Sequence, residues 1–142
     1  MAAIEGIQQI SSGNLVSFSE QQFVDCVTSN WTNGCNGGYK IDAFKFILEN
    51  GGIATEASYP YKGVKGNCKK VCHQIQIKSY EQVPKNNEDS LLKAVANQPV
   101  SVSIDMRGML RFYSSGIFTG ECGTKTNHAV TIVGYGTSNS WY

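Results

Sequence analysis

The hydrophobic pattern of this chain changes period part-way along it, and that change limits the fold more than any other feature. In the first half, apolar residues recur at helical spacing. Ile4, Ile7 and Ile10 do so between Ala2 and Ile10, a stretch stopped by Ser12-Gly13-Asn14. Ser19, three residues before Gln22, forms a capping box for a short helix, with Phe18 and Phe23 placed as a hydrophobic staple. From Tyr39 to Asn50, Ala43, Phe44, Ile47 and Leu48 share one helical face, closed by Gly51-Gly52. A loop-rich stretch follows from Ile53 to Val83, with a short strand predicted at Ile75-Gln76-Ile77, then a helix around Glu88 to Ala96. There the period shortens. Val100, Val102 and Ile104 alternate with Ser101 and Ser103, and the β-branched run from Ala129 to Tyr135 is a second strand. Helices first and strands afterwards predict an α+β fold of two lobes, about residues 1–80 helical and 81–142 β-rich.

A length of 142 residues is enough for one ordinary domain, or for most of a larger one. The 41% apolar and 16% charged content is that of a globular chain rather than a disordered one. With 12 basic and 11 acidic residues, the formal charge of +1 gives no electrostatic reason to expect nucleic acid or an acidic membrane as partner. No apolar run approaches the roughly 18 residues of a spanning helix. The start, Met1-Ala2-Ala3-Ile4-Glu5-Gly6, lacks the regions of a signal peptide. The five cysteines point the other way, toward disulfides and an oxidising compartment. Their odd number leaves at least one without a partner in the chain. Asn30-Trp31-Thr32 is an acceptor pattern for N-glycosylation. Secretory chemistry without an export signal, and a first helix without a cap, predict that the natural start lies upstream.

Two histidines are candidates for chemistry. His73 lies in the polar loop Lys69-Lys70-Val71-Cys72-His73-Gln74, where a structural role is the expectation. His128 enters a β-branched strand after the turn Gly120-Glu121-Cys122-Gly123-Thr124. A rigid strand end can hold an imidazole beside a nucleophile, and its charge changes near neutral pH. Position alone leaves a structural role open for it as well. Cys68-x3-Cys72-His73 lacks the paired, regular spacing of a zinc site, so neither metal nor cofactor is expected.

Six blocks then carry a resemblance. Ser19-Glu20-Gln21-Gln22-Phe23-Val24-Asp25-Cys26, Gly34-Cys35-Asn36-Gly37-Gly38, Tyr59-Pro60-Tyr61, Asn97-Gln98-Pro99-Val100-Ser101-Val102, Tyr113-Ser114-Ser115-Gly116-Ile117-Phe118 and Asn127-His128-Ala129-Val130 follow one another along the chain. In that order they resemble the papain-like cysteine peptidases, above all the plant secretory and vacuolar members. The resemblance implies a helical amino-terminal lobe, an antiparallel β-rich carboxy-terminal lobe, and peptide-bond hydrolysis by a Cys–His pair. The catalytic histidine falls on His128. The substrate-binding glycines fall on Gly37 and Gly38, and Tyr39, Ser103 and Ala129 match the pocket for the second residue before the cut. Asn127 stands where the family often has Asp. Cys26 is implied to pair with Cys68, while Cys35 and Cys122 would pair with cysteines outside this sequence; Cys72 has no counterpart. Implied partners are a peptide or protein substrate and a protein inhibitor of cysteine peptidases, in a secreted, vacuolar or lysosomal setting.

The nucleophile is the missing part. In this family the histidine follows the nucleophilic cysteine by roughly 130–150 residues, which places that cysteine before Met1. Neither a Cys-Gly-Ser-Cys-Trp block nor the upstream glutamine of the oxyanion hole is present. Asn139-Ser140-Trp141 comes too soon after Gly134-Tyr135-Gly136 to be the family's Asn-Ser-Trp, and reads as a polar turn. The expectation is therefore a domain cut at both ends, folding poorly and inactive alone. A non-catalytic homologue that binds peptides or inhibitors through Gly37-Gly38 is the alternative.

Overall fold

The stop at Ser12-Gly13-Asn14 works through backbone geometry. Helix α1 runs Ala2–Ser12, and Gly13 follows with φ 75°, its N–H donating to Gln9 O at 2.9 Å. That left-handed conformation costs glycine least. The computed structural model describes residues 1–73 and 75–136. Of the three spaced isoleucines, Ile4 is buried and Ile10 exposed, so α1 meets the core at its front end. Glu5 Oε1 accepts the Phe18 N–H at 3.0 Å and ties α1 to the start of the next helix.

Helix α2, Glu20–Cys26, begins at the expected cap: Ser19 Oγ accepts from Gln22 N at 3.0 Å. The other half of the box is not local. The Ser19 N–H goes to Ala54 O (3.0 Å), and Gln22 Oε1 takes the Ala54 N–H (2.8 Å). Tertiary pairing thus replaces the reciprocal bond and stitches α2 to the chain at residue 54. Phe18 is fully buried with Ile4, Ile47 and Ile53, and Phe23 packs against that cluster from α2. Helix α3, Lys40–Glu49, supplies Ile47, while Leu48 of the same predicted face is exposed.

Two strand predictions need correction. Ile75-Gln76-Ile77 gives only a single antiparallel bridge, Ile53↔Ile75. The Ile53 N–H donates to Ile75 O at an ordinary 3.0 Å, and a Cβ on Gly52 would lie 2.3 Å from the same oxygen. The second strand is also shorter than Ala129 to Tyr135. After α4, Glu88–Val95, strand β1 spans Val100–Ile104 and pairs antiparallel with β2, His128–Ile132. Val100 lies opposite Ile132, so the residue beyond Ile132 would have to pair with Pro99, which has no N–H to give.

The result is an α+β arrangement with α1 to α3 in the first half and α4 with both strands in the second. The buried hydrophobic cluster belongs to the helical half; after residue 81, among the described residues, only Val95 and Asp105 are buried. The halves touch where α1 meets the entrance of β1. A Cβ on Gly6 would stand 2.5 Å from Pro99 Cγ, so only glycine permits that approach.

Candidate active site

The segment before α3 is shaped by two glycines for different reasons. Gly34–Asn36 form a 3-10 turn, and Gly37 follows with φ 98°, its carbonyl accepting from Asn33 N at 3.1 Å. A Cβ on Gly37 would meet nothing within 4 Å, so its backbone is what requires glycine. On Gly38 a Cβ would lie 2.5 Å from Thr32 Cγ2, so there it is the close approach. Thr32 Oγ1 accepts from Tyr39 N (3.1 Å) and donates to Asp42 Oδ2 (2.5 Å). The hydroxyls of Thr32 and Ser29 hold the Asp42 carboxyl below the usual carboxylate range, against the upward push of burial. A hollow of about 250 Å³ opens beside this wall, lined by Gly37, Gly38 and Tyr39 with Phe23 and Val27 of the α2 region.

The strand pair carries the other candidates. His128 and Ile104 are opposite one another, as are Ala129 and Ser103, so the two pairs project from alternate faces of the ladder. His128, Ala129 and Ser103 are exposed. Asn127 is a brace: its N–H donates to Ile104 O (3.0 Å), and its Oδ1 accepts from Met106 N (2.9 Å). Lys40 Nζ donates to Ser103 Oγ, which brings the glycine wall and β1 together. No spacing in the sequence signals a contact between positions so far apart.

A second feature missed by sequence reasoning fixes the turn before His128. Asp105 accepts from Arg107 Nε (2.8 Å), Arg107 Nη2 (2.5 Å), the Arg107 N–H (3.1 Å) and the Lys125 N–H (3.2 Å). Arg107 Nη2 also reaches Lys125 O at 2.6 Å. The guanidinium lowers the Asp105 carboxyl to about 2, outweighing its burial. Gly123 is indispensable beside it, since a Cβ there would lie 2.2 Å from Asp105 Oδ2. The one available signal was the i, i+2 spacing at the end of a strand, which sends both side chains to the same side.

A disulfide joins Cys26 to Cys68. Cys35, Cys72 and Cys122 are free and exposed. Cys35 Sγ donates to Gly63 O (3.7 Å) and Cys122 Sγ to Gly120 O (3.8 Å), neither to His128. His73 Nε2 accepts from Asn50 Nδ2 at 2.8 Å, so of Cys68-x3-Cys72-His73 the Cys68 sulfur is held in the disulfide and the imidazole by Asn50, while Cys72 is free. Asn30 is exposed in the turn closed by the Thr28↔Asn33 bridge. Asn139-Ser140-Trp141 lies outside the described residues.

Residues 1–142 match the family described as "Papain family cysteine protease". The chain belongs to the papain family of cysteine proteases. It is 55% identical over 142 residues to Zingipain-2 of Zingiber officinale, covering 98% of this chain and 63% of that protein. A KDEL-tailed cysteine endopeptidase of Arabidopsis thaliana is 51% identical, with 99% of this chain and 42% of the relative covered. Among solved structures, the bromelain protease from Ananas comosus in complex with the E64 inhibitor superposes with a TM-score of 0.90 at 45% identity. That likeness covers 97% of this chain and 64% of bromelain. The proform of Amb a 11, a ragweed pollen allergen, also gives 0.90 at 48% identity, over 96% of this chain and 38% of that one. The papain-family chain thus spans less than two thirds of each of these relatives, and its α+β fold is papain-like over that span.

Proposed function

We propose that this chain is the part of a cysteine-type endopeptidase that supplies the histidine and the substrate wall, with the nucleophilic thiolate supplied from outside these 142 residues. In that reaction the thiolate attacks the scissile carbonyl, and the imidazolium of His128 stabilises it and then protonates the leaving amine. Gly37 and Gly38 bind the substrate backbone as an added strand, where side chains would block the approach. Tyr39, Ser103 and Ala129 line the pocket for the second residue before the cut. Asn127 steadies the turn beneath the histidine. The lobes run from about residue 1 to 80 and from 81 to 142, and the Lys40–Ser103 hydrogen bond supports their closure around a shared cleft. Asn30 carries a glycan on a secretory or vacuolar route, a reading supported by the KDEL-tailed relative and the proform structure. A protein inhibitor of cysteine peptidases would occupy the same wall.

One observation carries the reading: the family match runs through the whole chain, so wall and histidine come from a single matched domain. The test is hydrolysis of a fluorogenic peptide. The purified chain is expected to show none that a thiol-directed inhibitor stops. Extended by coding sequence on both sides it is expected to cleave, and His128→Ala should then lower kcat by about 100-fold or more. Inhibitor-sensitive hydrolysis by the 142-residue chain would overturn the placing of the nucleophile. Binding without cutting by the extended protein would mark the non-catalytic homologue instead.

A further inference from the structure

Helix α2 holds a loop as well as its own cap. Gln21 and Asp25 stand four residues apart on it, so their side chains meet on one face, where both are buried. Gln21 Oε1 accepts the Lys62 N–H (2.8 Å), and its Nε2 donates to Val64 O (2.8 Å) and to Asp25 Oδ1 (2.7 Å). Asp25 Oδ1 also accepts the Gly66 N–H (2.7 Å), and its Oδ2 accepts from the Tyr59 hydroxyl (2.8 Å). The disulfide fixes Cys68 to Cys26 at the end of the same helix. A buried polar network with its partners in place is rigid. The loop is therefore anchored at residues 62, 64, 66 and 68, although its side chains face water. Lys65 lies between two of those anchors. Its Nζ donates to Asn33 Oδ1 at 2.6 Å. Its stem lies against Gly34, where a Cβ would stand 2.7 Å from Lys65 Cδ and 3.1 Å from its Cβ and Cγ. Asn33 in turn donates its N–H to Gly37 O at 3.1 Å.

We infer that Lys65 is a positioning residue: it fixes Asn33 and Gly34 against the loop anchored on α2, and so sets where Gly37 and Gly38 present their backbone. This rests on the proposed role of those two glycines in binding substrate. The contacts run without a break from Gln21 and Asp25, through the backbone of residues 64 to 66, to Lys65, Asn33 and Gly37. Hydrogen bonds between a peptide and a strand-like wall weaken steeply as their angles depart from linear. A turn that drifts therefore loses affinity for substrate, while the histidine and the thiolate are left as they were. The amide oxygen of Asn33 asks only for a donor at the right reach, so an arginine can stand in for the lysine. An ordinary solvated lysine, by contrast, would have no effect on substrate at all.

The experiment is steady-state hydrolysis of a fluorogenic peptide by the protein extended on both sides, with active sites counted by titration with a thiol-directed inhibitor. Lys65→Ala is expected to raise KM about fivefold, the worth of one hydrogen bond to substrate, and to keep kcat within about twofold. Lys65→Arg should restore KM to within about twofold of wild type. Asn33→Ala should raise KM by a similar factor, and the double variant with Lys65→Ala should be no worse than either alone, because both cut the same connection. Lys93→Ala, which removes an exposed lysine from α4, should change neither constant. An unchanged KM in Lys65→Ala, a loss confined to kcat, a rise that Lys65→Arg does not reverse, or additive effects in the double variant would each overturn the inference while leaving the peptide wall standing. Failure of the extended wild-type protein to cleave would overturn both.

Discussion

Asp105 shows how one carboxylate outside the cleft can govern the histidine strand. It collects Arg107 and the Lys125 N–H, and so fastens the turn that delivers Asn127 and His128 to β2. Its folded-state carboxyl titrates at about 2, below the ordinary 3.8, because the guanidinium favours the charged form. A lowered value means that the unfolded chain binds the proton more readily. The stabilising contribution is therefore whole above about pH 4 and is lost as the pH falls to about 2. Asp105→Asn should lower the urea unfolding midpoint at about pH 6, and the gap from wild type should close in acid. Parallel curves over that whole range would mean that the carboxylate is not held as described. Three of the four hydrogen bonds to Asp105 come from Arg107, two residues on; the fourth, from the Lys125 N–H, escaped sequence reading because it could be inferred only once the chain reversal at Gly123 was known. Lys40 escaped for a similar reason: a lysine after Tyr39 looks like any solvated helix start until Ser103 is beside it.

At the scale of elements, local signals were legible and endings set by a neighbour were not. The Ser19 cap, the Gly13 stop and the alternation of β1 follow from side-chain chemistry within a few residues, and the structure has them all. The end of β2 depends on Pro99, just before the other strand, and the reciprocal half of the capping box on Ala54. Gly6 is a third case, with opposing effects of known size. Gly6→Ala would gain about 1 kcal/mol of helix propensity in α1. It would also drive a methyl group to 2.5 Å from Pro99 Cγ, an atom of a stiff ring that cannot swing aside. Overpacking of that kind costs about 1–3 kcal/mol, so the substitution should destabilise on balance, by about 1 kcal/mol. Gly13→Ala meets no atom within 4 Å and should cost about 1 kcal/mol through its left-handed backbone alone. Chemical denaturation of both variants separates the effects. A Gly6→Ala chain more stable than wild type would mean that α1 and Pro99 are not in tight contact.

For the whole molecule, the change of period along the sequence was enough to place the two strands after the first three helices, but it could not say how unequally the two halves are supported. The helical lobe has Phe18, Ile47 and Ile53 fully buried and is cross-linked by Cys26–Cys68. The strand half has α4 and two five-residue strands, each with an edge unpaired among the described residues, and leaves Phe112 66% and Ile117 63% exposed. Apolar surface that stays in water contributes nothing to stability, and open strand edges invite pairing with other chains. Local opening should therefore be easiest between β1 and β2, where the chain loops through exposed residues. Trypsin under native conditions is expected to cut first at Arg111, which is exposed and belongs to the 3-10 segment Gly108–Phe112. The cut should leave a fragment that retains the Cys26–Cys68 bond and resists further digestion. Lys45 offers the same chemistry within α3, beside the buried Ile47, so mass spectrometry of the earliest products compares the lobes directly. Initial cleavage at Lys45 would mean that the helical cluster is the weaker half, and the stability of the molecule would have to be sought in the strand pair that carries His128.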